Sequence, residues 1–246
     1  MKSFAEVATT CPDSDIPLLR ELLAYDSLCE QSCTFARDQL GRLLYHVAPS
    51  PLHWSRQIEW PWILRNGFSN GGSFQTNHNT LDIGSGWSVL KFALCKRSRF
   101  TTCLDNDQET LDKSQITIDQ FRRRVHLGSW NIAQVKGDVR ELPLLSNTYD
   151  RVVCVSVLEH LESGHEQALD EIIRVLKPGG MALITMDAVV SGDGCGKGNF
   201  YINLPKAIQL LFHLGITQLE NQITIGAKLE DVDVGVVCLM ACFVKE

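Results

Sequence analysis

The stretch Leu81-Asp82-Ile83-Gly84-Ser85-Gly86-Trp87-Ser88 decides the fold of this 246-residue chain. Apolar residues run into a glycine turn, and a helical pattern at 88–96 follows at once. A strand that enters a tight glycine turn and leaves as a helix is the opening of a βα unit. Glycine at 84 and 86 lets the backbone approach a ligand closely, and the N-terminus of the following helix offers free N–H groups. In a parallel sheet such a loop lies at the carboxyl end of its strand, where open α/β folds bind their ligands.

Outward from this turn, β-rich runs at 80–83, 100–104, 131–135, 150–156, 181–186, 217–225 and 234–244 alternate with helical stretches at 88–96, 108–124, 165–176 and 205–214. The alternation predicts an α/β fold: a doubly wound, mostly parallel, seven-stranded Rossmann-like sheet with helices on both faces. Only the acidic run LEDVD at 229–233 joins the last two strands, so they are expected to finish as an antiparallel hairpin rather than through a crossover. Upstream, Ile16, Leu19, Leu22, Leu23, Leu40, Leu43 and Leu44 recur at helical spacing, with Pro17 where a first helical turn tolerates it. The stretch 48–79, rich in Pro, Gly, Asn and Trp, has no clean period and reads as a structured connection. The expected organisation is therefore a helical N-terminal cap with its connection at 1–78 and a ligand-binding core at 79–246.

Composition narrows the function classes. Hydrophobic residues at 44% and charged residues at 21% describe a globular chain, neither disordered nor a coiled coil. With 23 Lys plus Arg against 29 Asp plus Glu the net charge is −6, so no nucleic-acid partner is expected. The opening MKSFAEVATT lacks the apolar run of a signal peptide, and no stretch approaches the roughly 18 apolar residues of a membrane span. A cytoplasmic protein with no membrane partner is expected. The nine cysteines are scattered, many in apolar segments such as RVVCVSVL and GVVCLMACFV, and read as buried thiols. The pairs Cys29/Cys33 and Cys238/Cys242 lack the second Cys or His pair of a zinc site, so no metal is expected.

The glycine turn does not complete the dinucleotide pattern G-x-G-x-x-G, because Val89 stands at the third glycine. Asp82 would face a pyrophosphate unfavourably, yet it suits a ligand carrying an ammonium or a sulfonium. Asp105 ends the second β run about twenty residues after the turn, where an acidic side chain can accept both ribose hydroxyls of an adenosine. Lys136-Gly137-Asp138-Val139-Arg140-Glu141-Leu142-Pro143 closes the third run, and residues 149–161 form the fourth with its loop. Arg174-Val175-Leu176-Lys177-Pro178-Gly179-Gly180 turns from a helix into the fifth.

In order and spacing, these motifs over 79–186 resemble class I S-adenosylmethionine-dependent methyltransferases, in particular the small-molecule branch with the ubiquinone and menaquinone biosynthesis enzymes. The resemblance implies S-adenosylmethionine as cofactor, with S-adenosylhomocysteine as its product. It places Asp82, Gly84 and Gly86, with Ser85 between them, along the methionine part. Asp105, followed by Asn106, would take the ribose, and Asp138 the adenine amino group, with backbone contact from Val139. Ser156, Val157 and Leu158 would face the methionine and the reacting methyl. The pattern departs from the family at Ser88, where a third glycine is usual, and at Trp87, which is bulkier than the common Thr or Ala.

Methyl transfer from a sulfonium is an in-line displacement, so the protein's main task is to hold the acceptor about 3 to 3.5 Å from the methyl and to exclude water. No metal or covalent nucleophile is required, and a base is needed only if the acceptor must lose a proton. His160, after the fourth strand, is the candidate base, the alternative being that it only shapes the loop. His46 and His78 are further histidines of the N-terminal region. Arg56, His53 and Asp187 are candidate substrate-binding residues, with a turn role as the alternative for Asp187. Trp60, in Glu59-Trp60-Pro61-Trp62, could sit beside the sulfonium, worth about 0.5 to 2 kcal/mol, or simply pack the cap. Arg122-Arg123-Arg124 reads as a solvated helix face, and the loop 191–198 lacks the Ser or Thr that a phosphate loop needs and reads as a flexible lid, the alternative being a surface loop with no role.

The function expected is methylation of a small organic acceptor, with oxygen favoured over nitrogen or carbon, in natural-product or secondary metabolism. Methylation of a peptide, or a cofactor-binding partner or regulatory subunit without catalysis of its own, are the alternatives. A homodimer is left open.

Overall fold

A computed structural model describes residues 56–68, 77–86, 88, 90–124, 131–189, 195–196, 199–200, 202–214, 223–228 and 236–246. Contacts divide the chain into two compact units, Lys2–Lys136 and Gly137–Glu246.

The first unit runs α1 (Arg56–Phe68), β1 (Asn79–Ile83), α2 (Leu90–Arg97), β2 (Phe100–Asp105), α3 (Gln108–Arg124) and β3 (Ile132–Lys136). Its strands are parallel in the order β3-β2-β1, with Leu81 opposite Thr102 and Leu104 opposite Val135. Thr80 to Ile83 are all buried, the pattern of a parallel strand covered on both faces rather than the in-out alternation of a half-exposed one. Helix α2 is a core helix: Leu90 through Cys95 and Arg97 are all buried, and α1 packs against it. Fully burying a leucine or isoleucine such as Leu64 or Ile63 contributes roughly 1.5 to 3 kcal/mol.

Helix α1 lies where the sequence pattern suggested only a structured connection. Its buried side, Glu59, Trp60, Ile63, Leu64, Gly67 and Phe68, does recur at helical spacing. A glutamate and a glycine on that stripe, and a proline at position 61 inside the helix, disguise the period.

The second unit runs β4 (Tyr149–Val155), a 3-10 turn (Leu158–His160), α4 (His165–Val175), β5 (Leu176–Val189), β6 (Cys195–Gly196), β7 (Asn199–Phe200), β8 (Ile202–Asn203), α5 (Leu204–His213), β9 (Ile223–Lys228) and β10 (Val236–Val244). β4 is parallel to β5, and β10 is antiparallel to both β5 and β9, giving the order β4-β5-β10-β9. β8 adds in parallel to the end of β5, and β6 pairs β7 apart from the main sheet. Helix α4 is amphipathic and buries Ala168, Leu169, Ile172 and Val175. Its C-terminal carbonyls are held by Lys245, whose Nζ donates to the oxygens of Ile173 at 2.9 Å and Leu176 at 2.8 Å. Asn203 caps α5 by accepting from the Lys206 N–H at 2.9 Å, with Pro205 in the first turn.

The seven principal strands are thus mostly parallel, flanked by helices and finished by an antiparallel hairpin, as the alternating pattern implied. Strand β5 begins at Leu176, earlier than the expected 181, because the Pro178-Gly179-Gly180 segment is part of it. Cys95, Cys103, Cys154 and Cys238 are buried thiols and Cys242 is a half-buried one, in keeping with the thiol reading. The helical pattern of the N-terminal cap at 16–44, His46, His53, Cys29, Cys33, Trp87, and residues 191–194 and 197–198 of the glycine-rich loop lie outside the described residues. So do the side chains of Arg56 and of residues 122–124. Among the described residues, no helix is long and apolar enough to cross a membrane.

Candidate cofactor site

In the first unit the site begins where β1 ends. Gly84 and Gly86 sit at φ 64° and φ 49°, the left-handed region that glycine enters without steric cost. A Cβ at Gly86 would meet only the Gly84 oxygen, at 3.7 Å, so conformation rather than space requires glycine there. The turn is tied to β2 twice. The Ser85 N–H donates to the Leu104 oxygen at 3.0 Å, and the Gly86 N–H donates to Asp105 Oδ2 at 3.0 Å.

Asp105 is half-buried, and its Oδ1 accepts from the Asp107 N–H at 3.1 Å. Among the described residues each carboxylate oxygen therefore has one backbone donor and keeps one lone pair, which is the acceptor count that a vicinal diol needs. Asp107 caps α3, accepting from the Thr110 N–H at 2.9 Å and the Thr110 hydroxyl at 2.6 Å, and these bonds hold its carboxyl below the usual range. Asn106 is exposed beside them.

Asp82 is 3% exposed, and its Oδ2 has no hydrogen-bond partner among the described residues. Burial pushes its carboxyl up to about 7; Lys91 opposes the rise and Asp105 adds to it. An orphaned buried carboxylate oxygen at the carboxyl end of β1 fits a cationic ligand group, because such an atom is costly until a donor or a positive charge reaches it.

Lys91 is the residue that sequence reasoning missed. It is 1% exposed, and its Nζ donates to the Gly86 oxygen at 2.8 Å and to Ser114 Oγ on α3. The sequence signal is weak: Leu90 to Cys95 is apolar except for Lys91, and only the burial of every residue from Leu90 to Cys95 shows that the lysine lies inside. Cys103 nearby has its thiol pushed up to about 12 by burial and is an inert core residue. Trp60 is buried in α1, and its Nε1 has no partner among the described residues.

In the second unit Asp138 stands at a short bridge with Glu141. Its Oδ1 accepts from the Arg140 N–H at 2.8 Å and from Arg140 Nε at 2.9 Å, and its Oδ2 accepts from the second guanidinium nitrogen at 2.6 Å. The Arg140 guanidinium holds this carboxyl below the usual range. Oδ1 is saturated and one lone pair remains on Oδ2, room for a single amino hydrogen. Val139 beside it is buried. Helix α4 fixes the segment that follows: Glu171 accepts from the Leu142 N–H at 2.7 Å, and Arg174 donates to the Leu144 oxygen at 2.9 Å.

At the end of β4, Ser156 is buried with φ 48°, a strained value for a residue with a side chain. Its N–H is held by the Thr185 oxygen at 3.1 Å and the Thr185 hydroxyl at 3.2 Å. Val157 is half-buried and Leu158 fully buried. Glu159, which sequence reasoning left without a role, is buried, and its Oε1 accepts from the Asp187 N–H at 3.0 Å. That bond joins the turn after β4 to β5 and sets Ser156, Glu159 and Asp187 on neighbouring elements. Asp187 is buried, whereas His160 is exposed on the same turn. The structure thus gathers Asp82, Gly84, Ser85, Gly86 and Asp105 in the first unit, and in the second it forms one group at Asp138 and Val139 and another from Ser156 to Asp187.

Residues 81–184 match a family described as a methyltransferase domain. A relative from Oryza sativa subsp. japonica, named 2-methyl-6-phytyl-1,4-hydroquinone methyltransferase 1, chloroplastic, is 25% identical over 143 residues, 58% of this chain. The chain spans 39% of that relative's length. Among solved structures, an arsenic(III) S-adenosylmethionine methyltransferase from Chlamydomonas reinhardtii aligns with TM-score 0.58 and 18% identity, over 68% of this chain and 64% of the other. The N-methyltransferase NodS from Bradyrhizobium japonicum WM9, in complex with S-adenosylhomocysteine, aligns with TM-score 0.56 and 16% identity, over 90% of this chain and 98% of the other. At these identities the structural likeness is one of fold. Residues 81–184 thus match a methyltransferase domain, the fold is one that solved S-adenosylmethionine-dependent methyltransferases have, and both support S-adenosylmethionine as the cofactor.

Proposed function

We propose that this chain methylates a small organic acceptor, with a hydroxyl oxygen favoured over nitrogen or carbon, as a cytoplasmic enzyme of natural-product or secondary metabolism. The observation that carries the reading is the glycine turn: two left-handed glycines and, among the described residues, a carboxylate with one lone pair left on each oxygen and a buried Asp82 oxygen with no partner. In this reading Asp82, Gly84, Ser85 and Gly86 line the methionine part, Asp105 and Asn106 the ribose, and Asp138 and Val139 the adenine. Ser156 and Val157 border the reacting methyl, and Trp60 belongs to the methionine end.

When bound, the cofactor supplies a methyl already activated on a sulfonium. The chain's own work is to orient the acceptor, exclude water and take up a proton where a hydroxyl must lose one. His160, exposed on the turn after β4, is the group we assign to that proton, and Arg56, His53 and Asp187 are assigned to the acceptor. The rice relative's name, a hydroquinone methyltransferase, supports a small ring-bearing acceptor. The negative net charge argues against nucleic acid. Segment 1–78, most of it outside the described residues, is assigned the selection of the acceptor, since appended segments rather than the sheet usually set specificity on a shared fold.

The test is release of S-adenosylhomocysteine from S-adenosylmethionine in the presence of phenols, carboxylic acids and amines, with His160→Gln alongside. Turnover with a phenol that His160→Gln slows supports the reading. Turnover only with amines would move the acceptor class, and cofactor binding without turnover of any acceptor would favour a non-catalytic partner.

A further inference from the structure

Lys91 is the second residue of α2, at the end of the helix where the backbone dipole disfavours a cation, and it is almost wholly buried. Burial and helix position both argue against an ammonium there, and an apolar side chain of similar length would suit the core better. The ammonium is nevertheless bound at specific atoms: it donates to the Gly86 oxygen at 2.8 Å and to Ser114 Oγ. The other side of the same glycine is held by Asp105, which accepts from the Gly86 N–H at 3.0 Å. The peptide groups on both sides of Gly86 are thus fixed from opposite directions, by an anion at the N–H and by a cation at the oxygen.

We propose that Lys91 is a positioning residue of the cofactor loop: from beneath the glycine turn its buried ammonium fixes the Gly86 carbonyl and balances the carboxylates that receive the cofactor. The proposal rests on the reading of this turn as the cofactor loop. The titratable groups acting on Asp82 are Lys91 and Asp105, and those acting on Cys103 are Lys91, Asp82 and Cys95. Of these only Lys91 favours an ionised Asp82, against burial and Asp105. Removing the ammonium leaves Asp82 protonated over a wider pH range and frees the Gly86 oxygen to turn. Its two hydrogen bonds go to the Gly86 oxygen and to Ser114, so the role assigned to Lys91 is exerted through the loop.

The test is calorimetric titration of the full chain with S-adenosylmethionine and S-adenosylhomocysteine at pH 6.5 and 8.5, with thermal denaturation of each variant. Lys91→Met removes both the charge and the donor; Lys91→Gln keeps a donor for the Gly86 oxygen without the charge. Lys91→Met is expected to bind S-adenosylmethionine about tenfold or more weakly while melting at or above the wild-type temperature. A merely structural lysine would not separate the two. Lys91→Gln is expected to recover part of the affinity, and more of it at pH 8.5 than at pH 6.5, because higher pH favours the ionised Asp82 that the lost charge no longer supports. Binding by Lys91→Met within about twofold of wild type at both pH values would overturn the proposal. So would losses of affinity and melting temperature that run in parallel in both variants. Asp105→Ala separates the two levels. If it weakens binding and Lys91→Met does not, the proposal alone falls; if it leaves binding intact, the loop is not the cofactor site and both fall.

Discussion

Asp82→Asn should make the free protein more stable and the cofactor weaker, and the stability gain should grow with pH. The Asp82 carboxyl is fully buried and pushed from 3.8 to about 7, chiefly by burial. Its folded value lies above its unfolded value, so between these limits the native state keeps a proton that the unfolded chain gives up. Stability therefore falls as pH rises from about 4 to about 7 and is flat with respect to this group above that. Across the whole interval the loss is on the order of 4 kcal/mol, at about 1.4 kcal/mol per pH unit. Between pH 5.5 and pH 8.5 the interval crossed is from 5.5 to about 7, or roughly 2 kcal/mol.

Asparagine keeps the shape of the protonated acid and does not titrate, so the difference between variant and wild type isolates Asp82 from every other group. In thermal denaturation without cofactor, the advantage of Asp82→Asn should widen by roughly 4 to 8 °C from pH 5.5 to pH 8.5. Affinity for S-adenosylmethionine should fall with the same substitution, because a neutral amide offers no charge to a cationic ligand. Parallel melting profiles for variant and wild type across this pH range would refute the reasoning, since they would mean that Asp82 titrates alike in the folded and unfolded chains.

Ser156→Gly should relieve the left-handed strain at φ 48° and leave stability unchanged or raise it by up to about 1 kcal/mol, measured by urea denaturation. A loss of more than that would show that the serine side chain holds the turn. Arg140→Leu should loosen Asp138, which loses two guanidinium hydrogen bonds and keeps the one from the backbone N–H of residue 140, and so reduce discrimination between S-adenosylhomocysteine and its inosine analogue, which lacks the amino group, by about tenfold in relative affinity. Glu159→Ala should destabilise by roughly 1 to 3 kcal/mol, because the buried Asp187 N–H loses its acceptor, whereas His160→Gln on the exposed face of the same turn should stay within about 0.5 kcal/mol of wild type.

Much of this architecture was legible because its signals are local. The run from Leu81 to Ser88 contains its own strand, glycine turn and helix start, and the spacing to Asp105 follows from one βα unit of ordinary length. Strands β1 to β4 and helices α3 to α5 fell within a few residues of the pattern because each carries an uninterrupted period. Helix α1 was hidden because Glu59 and Gly67 occupy its buried stripe and Pro61 interrupts it, features that count against a helix until its neighbours are known.

The candidate site divides in the same way. Asp82, Gly84, Gly86 and Asp105 were recognisable by turn chemistry and spacing. The buried ammonium of Lys91 was not, because a lysine in a helix is read as solvent-facing by default, and only the fully buried surroundings of α2 reverse that. The locking of Asp138 by Arg140, and the bond from the Asp187 N–H to Glu159, depend on side-chain directions that spacing does not encode.

The most direct measurement is calorimetric titration of the full chain with S-adenosylmethionine, wild type against Asp105→Ala. The account predicts micromolar binding that the substitution weakens by about tenfold or more, near 1.4 kcal/mol, because the carboxylate that offers one lone pair on each oxygen is gone. Absence of binding to the wild-type chain, or an Asp105→Ala variant that binds as tightly, would contradict it.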